Sequence, residues 1–98
     1  MIEIELTNPL YMQNHRDNHN NFYHDRTWKK IVKISVYDNG NVEFRMNQNY
    51  IKSFHPPFDR RMRFKFQWSK CDRRDFRFWP GVLLEHPDLK EIGMLIML

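Results

Sequence analysis

From Arg61 to Trp68 the chain alternates without a break. Met62, Phe64, Phe66 and Trp68 fall on one side, and Arg61, Arg63, Lys65 and Gln67 on the other. A strand repeats its side-chain direction every two residues, so this segment predicts a half-buried strand with a bulky apolar inner face and a cationic outer face. It sets a β-rich fold class and supplies a candidate functional surface.

A hairpin precedes it, and its register can be argued. Val32, Ile34 and Val36 share one face of a first strand, and Val42, Phe44 and Met46 one face of a second, with Asp38-Asn39-Gly40 between them. A two-residue Asn-Gly loop would set Val36 opposite Glu43 and mix apolar with charged side chains on both faces. A three-residue loop, with Gly40 left-handed as a bulge, sets Val36 opposite Val42, Ile34 opposite Phe44 and Val32 opposite Met46. A one-residue slip turns every side chain over, so the pattern selects the second register. Its outer face then pairs Lys33 with Arg45 and Ser35 with Glu43.

The remaining segments are shorter. Ile2, Ile4 and Leu6 alternate with Glu3 and Glu5 as a first strand, ended by Thr7-Asn8-Pro9. Tyr11 to Thr27, centred on an Asn/His-rich run at 13–25, predicts a long polar surface loop. Asn47 to Asp59 predicts a connector, because Pro56 and Pro57 remove two backbone donors. Ser69 to Arg74 predicts a turn. Asp75 to Trp79 predicts a returning strand stopped by Pro80-Gly81, with Phe76 and Phe78 inward and Arg77 outward. Pro87 to Ile92 predicts one or two helical turns stopped by Gly93. Met94 to Leu98 is wholly apolar, so it needs cover from a sheet or from a second copy of the chain.

The expected architecture is α+β, mostly β: a single domain over residues 1–98, with a curved antiparallel sheet of five or six strands and one short C-terminal helix. A core in a chain of 98 residues must come from bulk, and 15% of the residues are aromatic. Alanine is absent and asparagine abundant, a bias toward AT-rich codons that suits a viral or phage source, or some bacteria. The single cysteine, Cys71, excludes an internal disulfide. The N-terminus lacks the cationic start and apolar run of a signal peptide, and no apolar run is long enough to span a bilayer. These features predict a cytoplasmic, reducing location with no membrane contact.

The net charge of +4 and isoelectric point near 9.4 favour polyanions or acidic protein surfaces as partners. The candidate binding residues are Arg61, Arg63 and Lys65, joined by Lys33 and Arg45 if the basic strand lies beside the hairpin, and by Arg77. Guanidinium groups suit phosphate bidentately, and same-face residues on a strand repeat about every 6.6–7 Å, close to the spacing of phosphates along a nucleic-acid chain. Cations on an edge strand also prevent edge-to-edge aggregation. Phe64, Phe66 and Trp68 face away from the cations and belong to the core, which leaves Trp28, Tyr37 and Trp79 as the aromatics for exposure.

His15, His19 and His24, with Asp17 and Asp25, match no zinc-ligand spacing, so no metal or cofactor is expected. Cys71 lies among Lys70, Arg73 and Arg74 without a paired base. There is no Gly-rich phosphate loop, nucleophile elbow or carboxylate pair, so an enzyme is not expected. Three functional readings follow. The first is a small non-enzymatic protein that contacts nucleic acid through the basic strand. The second is a viral-type regulatory or inhibitor protein docking on an acidic surface of a host protein. The third is a small ribonuclease using His24 or His55 with an arginine.

Overall fold

The computed structural model describes residues 1–14, 28–68 and 76–97. Six strands form one curled antiparallel sheet: β1 (Ile2–Asn14), β2 (Lys29–Val36), β3 (Val42–Met46), β4 (Ile51–Phe54), β5 (Arg63–Trp68) and β6 (Phe76–Phe78). Their order across the sheet is β4-β3-β2-β1-β5-β6. Helices α1 (Trp79–Glu85) and α2 (Lys90–Met97) fill the inner face of this half-barrel.

The central strand carries the main irregularity. Glu5 of β1 pairs with Lys33 and Leu10 pairs with Ile31, so Leu6, Thr7, Asn8 and Pro9 lie opposite Val32 alone. Pro9 has no N–H to give a ladder, and a bulge is where a strand tolerates one. The strand therefore passes through Thr7-Asn8-Pro9 instead of ending there, and Tyr11 to Asn14 are strand, not loop. Beyond the bulge β1 pairs with β5 as well, from Leu10 opposite Trp68 to Asn14 opposite Phe64.

The hairpin adopts the three-residue loop. Gly40 N–H donates to the Tyr37 carbonyl at 2.9 Å, and Gly40 has φ +90°. Val36 faces Val42 and Ile34 faces Phe44 as expected, but the partner of Met46 is Ile31. A bulge at Val32 causes that shift, and it brings Ile31, fully buried, into the core in place of Val32.

Three further expectations are corrected. The supposed connector contains β4, which ends at Phe54 just before the prolines, and as an edge strand it tolerates them nearby. Trp79 is not the exposed end of a strand: Pro80 sits in the first turn of α1, where its missing N–H costs nothing, so β6 stops at Phe78. Gly93 does not stop the last helix but lies inside α2. Its bare Cα lets α2 approach α1, and a Cβ there would sit 2.8 Å from the Leu84 backbone nitrogen. The described residues thus hold two α-helices, the second short and C-terminal. Among the described residues of α2, Ile92 and Gly93 are buried and Ile96 packs partly inward, while Met94, Leu95 and Met97 are exposed.

Trp79 is the hub of the core. Its ring stacks on Phe54 at 4.4 Å and meets Phe44 and Phe58 edge-on at 5.4 and 4.9 Å. A β4 ring, a β3 ring and a helix ring thus converge on one point, which pulls the sheet into its curl. Such aromatic pairs add about 0.5–1.5 kcal/mol each beyond area burial.

Candidate nucleic-acid interface

The outer face of the sheet sorts its charges into two fields. On one side, β1, β2 and β3 place Glu3, Glu5, Lys33, Glu43 and Arg45 together. Lys33 lies opposite Arg45 on β3, as expected, and opposite Glu5 on β1. Its ammonium is 3.6 Å from Glu3. The like-charge strain of the Lys33/Arg45 pair is therefore relieved within the chain by carboxylates. Tyr37 donates its phenol hydrogen to Glu43 at 3.3 Å nearby.

On the other side, β1 past its bulge, the start of β2, and β5 place Tyr11, Gln13, Lys30, Arg63, Lys65 and Gln67 on the outer face. Tyr11 is flanked by Lys30 and Gln67, and Gln13 faces Lys65. The neighbouring positions on this surface, Leu10, Met12, Phe64, Phe66 and Trp68, all point into the core. β6 continues it, with Phe78 opposite Arg63 and Phe76 opposite Lys65. Arg60 lies over the Phe78 ring at 5.8 Å from its centroid. No acidic residue occupies a register position on this part of the sheet among the described residues.

The residues expected to act together are dispersed accordingly. Arg63 and Lys65 share the field that has no acidic residue in register among the described residues. Lys33 and Arg45 stand in the mixed-charge field, separated from β5 by β1. Arg61 precedes the strand, which starts at Arg63, and its guanidinium binds Asp59 through two contacts of 3.1 Å. Those hydrogen bonds raise the Arg61 pKa and hold the Asp59 carboxyl below its usual range. Met62 is exposed with it and is not part of the core face.

Arg77 is on the opposite face. It pairs with Phe64, an inward residue, and binds Glu85 of α1. The expectation that Phe78 faced inward with Arg77 outside is reversed in register, although the Phe78 ring still packs partly against the core beside Trp79. The reason is register: a strand that must hand Trp79 to the core through a helix places Phe78 outward one step earlier. Trp28 is half-buried, Tyr37 is exposed, and Trp79 is fully buried.

Lys30, Tyr11 and Gln13 were missed as members of this surface. The signal was present, because Leu10 and Met12 alternate with Tyr11 and Gln13, but Pro9 masked it by suggesting a strand end.

Among the described residues no group of three His, Cys, Asp or Glu could hold a metal ion, and no helix is long and apolar enough to cross a membrane. The His15/His19/His24 group and Cys71 lie outside the described residues. Comparison with protein families, curated proteins and solved structures finds no match.

Proposed function

We propose that this is a small non-enzymatic binding protein that contacts single-stranded nucleic acid through the outer face of β5 and its neighbours. The observation that carries the reading is the sorting of charge. Arg63, Lys65 and Lys30 stand on a field with Tyr11, Gln13, Gln67 and Phe78, where the strand ladders of the described residues set no carboxylate in register. The equally cationic Lys33 and Arg45 are matched to Glu3, Glu5 and Glu43.

Cations spaced along a strand follow a phosphate backbone, and amide side chains between them offer hydrogen bonds to sugars and base edges. Tyr11 brings a half-buried ring to the same surface, and aromatic rings beside cations are what single strands use for stacking. A broad sheet surface offers splayed bases a platform more readily than it fits a duplex groove, and this favours an unpaired strand.

The test is a salt titration against single-stranded and duplex oligonucleotides. The wild type should prefer the single strand, with log affinity falling linearly in log salt. Arg63→Glu with Lys65→Glu should weaken binding at least tenfold and flatten the slope. Lys33→Glu with Arg45→Glu should change it far less. No binding by the wild type at about 50 mM salt would overturn the reading and favour a partner protein with an acidic surface.

A further inference from the structure

The sheet has an open edge near its middle. β2 pairs with the leading half of β1, from Ile2 opposite Val36 to Glu5 opposite Lys33, whereas β5 pairs with β1 from Leu10 to Asn14. Among the described residues, positions 2–5 therefore have a ladder partner on one side only. Successive residues of an antiparallel strand turn their N–H and C=O groups to alternate sides. Every second residue here thus aims a donor and an acceptor away from β2.

Sheet edges are usually blunted, and β4 shows one way. Its Lys52 lies opposite Phe44, which is fully buried, so a lysine is turned toward the core while Ile51 is turned out. Phe54 fixes that register, because its ring is committed to the stack on Trp79. An inward-pointing charge discourages a further strand from docking. The leading half of β1 has no such device, since Ile2 and Ile4 share the inner face with Val36 and Ile34.

A cleft of about 720 Å3 borders this edge. Ile2 and Ile4 line it from β1, Ile92 and Leu95 line it from α2, and Pro87 joins them from the turn between the helices. Ile2 and Leu95 are 43% and 49% exposed. Val36 of β2 lines a smaller cleft on the hairpin side of α2, whereas the described lining of the larger one comes from β1, the turn and α2. The larger cleft therefore lies toward the unpaired side of β1. Lys90 and Glu91 also border it and offset each other in charge. On the outer face the same edge is acidic. Glu3 and Glu5 are exposed and share Lys33, which lies opposite Glu5 and 3.6 Å from Glu3.

We propose that this edge and cleft bind an extended peptide in which apolar and basic residues alternate, at a site separate from the basic face of β5. The peptide adds a strand beside residues 2–5. Main-chain hydrogen bonds supply the affinity, and alternate side chains supply the choice of partner. Its apolar side chains enter the cleft between β1 and α2, and its basic side chains lie beside Glu3 and Glu5. A second copy of the chain is the poorer occupant. Antiparallel pairing of two such edges about Ile4 would set Glu3 opposite Glu5 twice, and like charges directly opposite repel.

The probe is a short synthetic peptide of alternating valine and lysine, capped at both ends and followed by fluorescence anisotropy. Saturable binding is expected, with new hydrogen-exchange protection at the N–H groups of residues 2–5 that face away from β2. N-methylation of alternate peptide amides removes the donors of the added ladder and should weaken binding at least tenfold. Glu3→Lys with Glu5→Lys should weaken the lysine peptide at least tenfold and admit a valine–glutamate peptide that the wild type rejects. Should that variant fail to fold, the N-methylated peptide decides the matter on the wild type. Arg63→Glu with Lys65→Glu should bind the peptide as the wild type does, so failure of the nucleic-acid reading and failure of this one are distinguishable. Absence of saturable binding, equal binding of the N-methylated peptide, or equal binding of the glutamate peptide by the wild type overturns the proposal. Protection of residues 2–5 that rises with protein concentration alone names a second copy as the occupant and overturns it as well.

Discussion

His86 Nε2 meets the backbone carbonyl of Asn8 at 3.1 Å, across 78 positions of sequence. The Asp88 N–H donates to His86 Nδ1 at 3.2 Å, which leaves the ring proton on Nε2 and makes it the donor to Asn8. The Asp88 carboxylate completes the link. It accepts from the Asn8 N–H at 3.0 Å, from the Asn8 side-chain amide, and from the Thr7 hydroxyl at 3.3 Å. The bulge of β1 is thereby tied to the turn between the two helices.

This link makes stability depend on pH. Burial lowers the His86 pKa from its ordinary 6.5, outweighing the opposing pulls of the Asn8 carbonyl and Asp88. The unfolded chain therefore binds a proton at His86 that the folded chain resists, and stability rises with pH across that window. The contribution is complete above 6.5 and is lost as the pH falls through the depressed folded value. Urea titrations from pH 8 to pH 5 should show the decline. His86→Leu should lower stability by about 2 kcal/mol at pH 8, since it strips partners from Asn8 and Asp88, and should reduce the slope with pH. A variant with the wild-type slope would remove His86 as the cause.

Gly93 sets the spacing of the helices. Alanine normally stabilises a helix interior over glycine by about 1 kcal/mol. Here its Cβ would press on the Leu84 nitrogen at 2.8 Å and the Leu83 carbonyl carbon at 3.1 Å, both backbone. Gly93→Ala should therefore destabilise by a net 1–2 kcal/mol or so, as over-packing wins over propensity. A raised melting temperature would contradict that close approach.

Gly40 occupies a left-handed turn position, φ +90°, and a Cβ there would lie 3.1 Å from Pro56 Cγ. Gly40→Val should cost about 1 kcal/mol or more, because a β-branched residue resists that backbone region. Unchanged denaturant midpoints would count against the bulged three-residue loop.

The C-terminal helix divides its apolar residues between two environments. Ile92 is 4% exposed, whereas Met94 is 54% exposed. Ile92→Ala should cost about 2–4 kcal/mol, and Met94→Gln should stay within about 0.5 kcal/mol. A clear loss of stability in the second variant, together with a lower sedimentation mass, would place Met94 in a contact between copies of the chain.

How much was legible in the sequence can be judged from particular residues. The Phe64/Phe66/Trp68 face and the Val36–Val42 register were readable because period-two alternation and turn chemistry agreed. β4 was not, since Lys52 and Ile51 face the wrong way for their polarity, and only the Phe54–Trp79 stack explains why. α1 was hidden by Pro80-Gly81, a pair that marks a stop in a strand and a start in a helix. The basic strand was visible as a candidate site, but its company was not. Whether Lys33 or Lys30 stands nearer to Lys65 depends on β1 lying between the hairpin and β5, a fact of topology that no local pattern encodes.

The bulge at Leu6–Pro9 also has a consequence in time. The leading half of β1 pairs with β2, the trailing half adds β5 some 50 to 58 positions further along, from Asn14–Phe64 to Leu10–Trp68, and the bend between them closes on His86 and Asp88. During synthesis, this strand leaves the ribosome ahead of the other five strands of the sheet. Its bend gains His86 and Asp88 only when the turn between the helices, 78 to 80 positions later, has followed it, so the sheet closes on its leading strand after the helices are made.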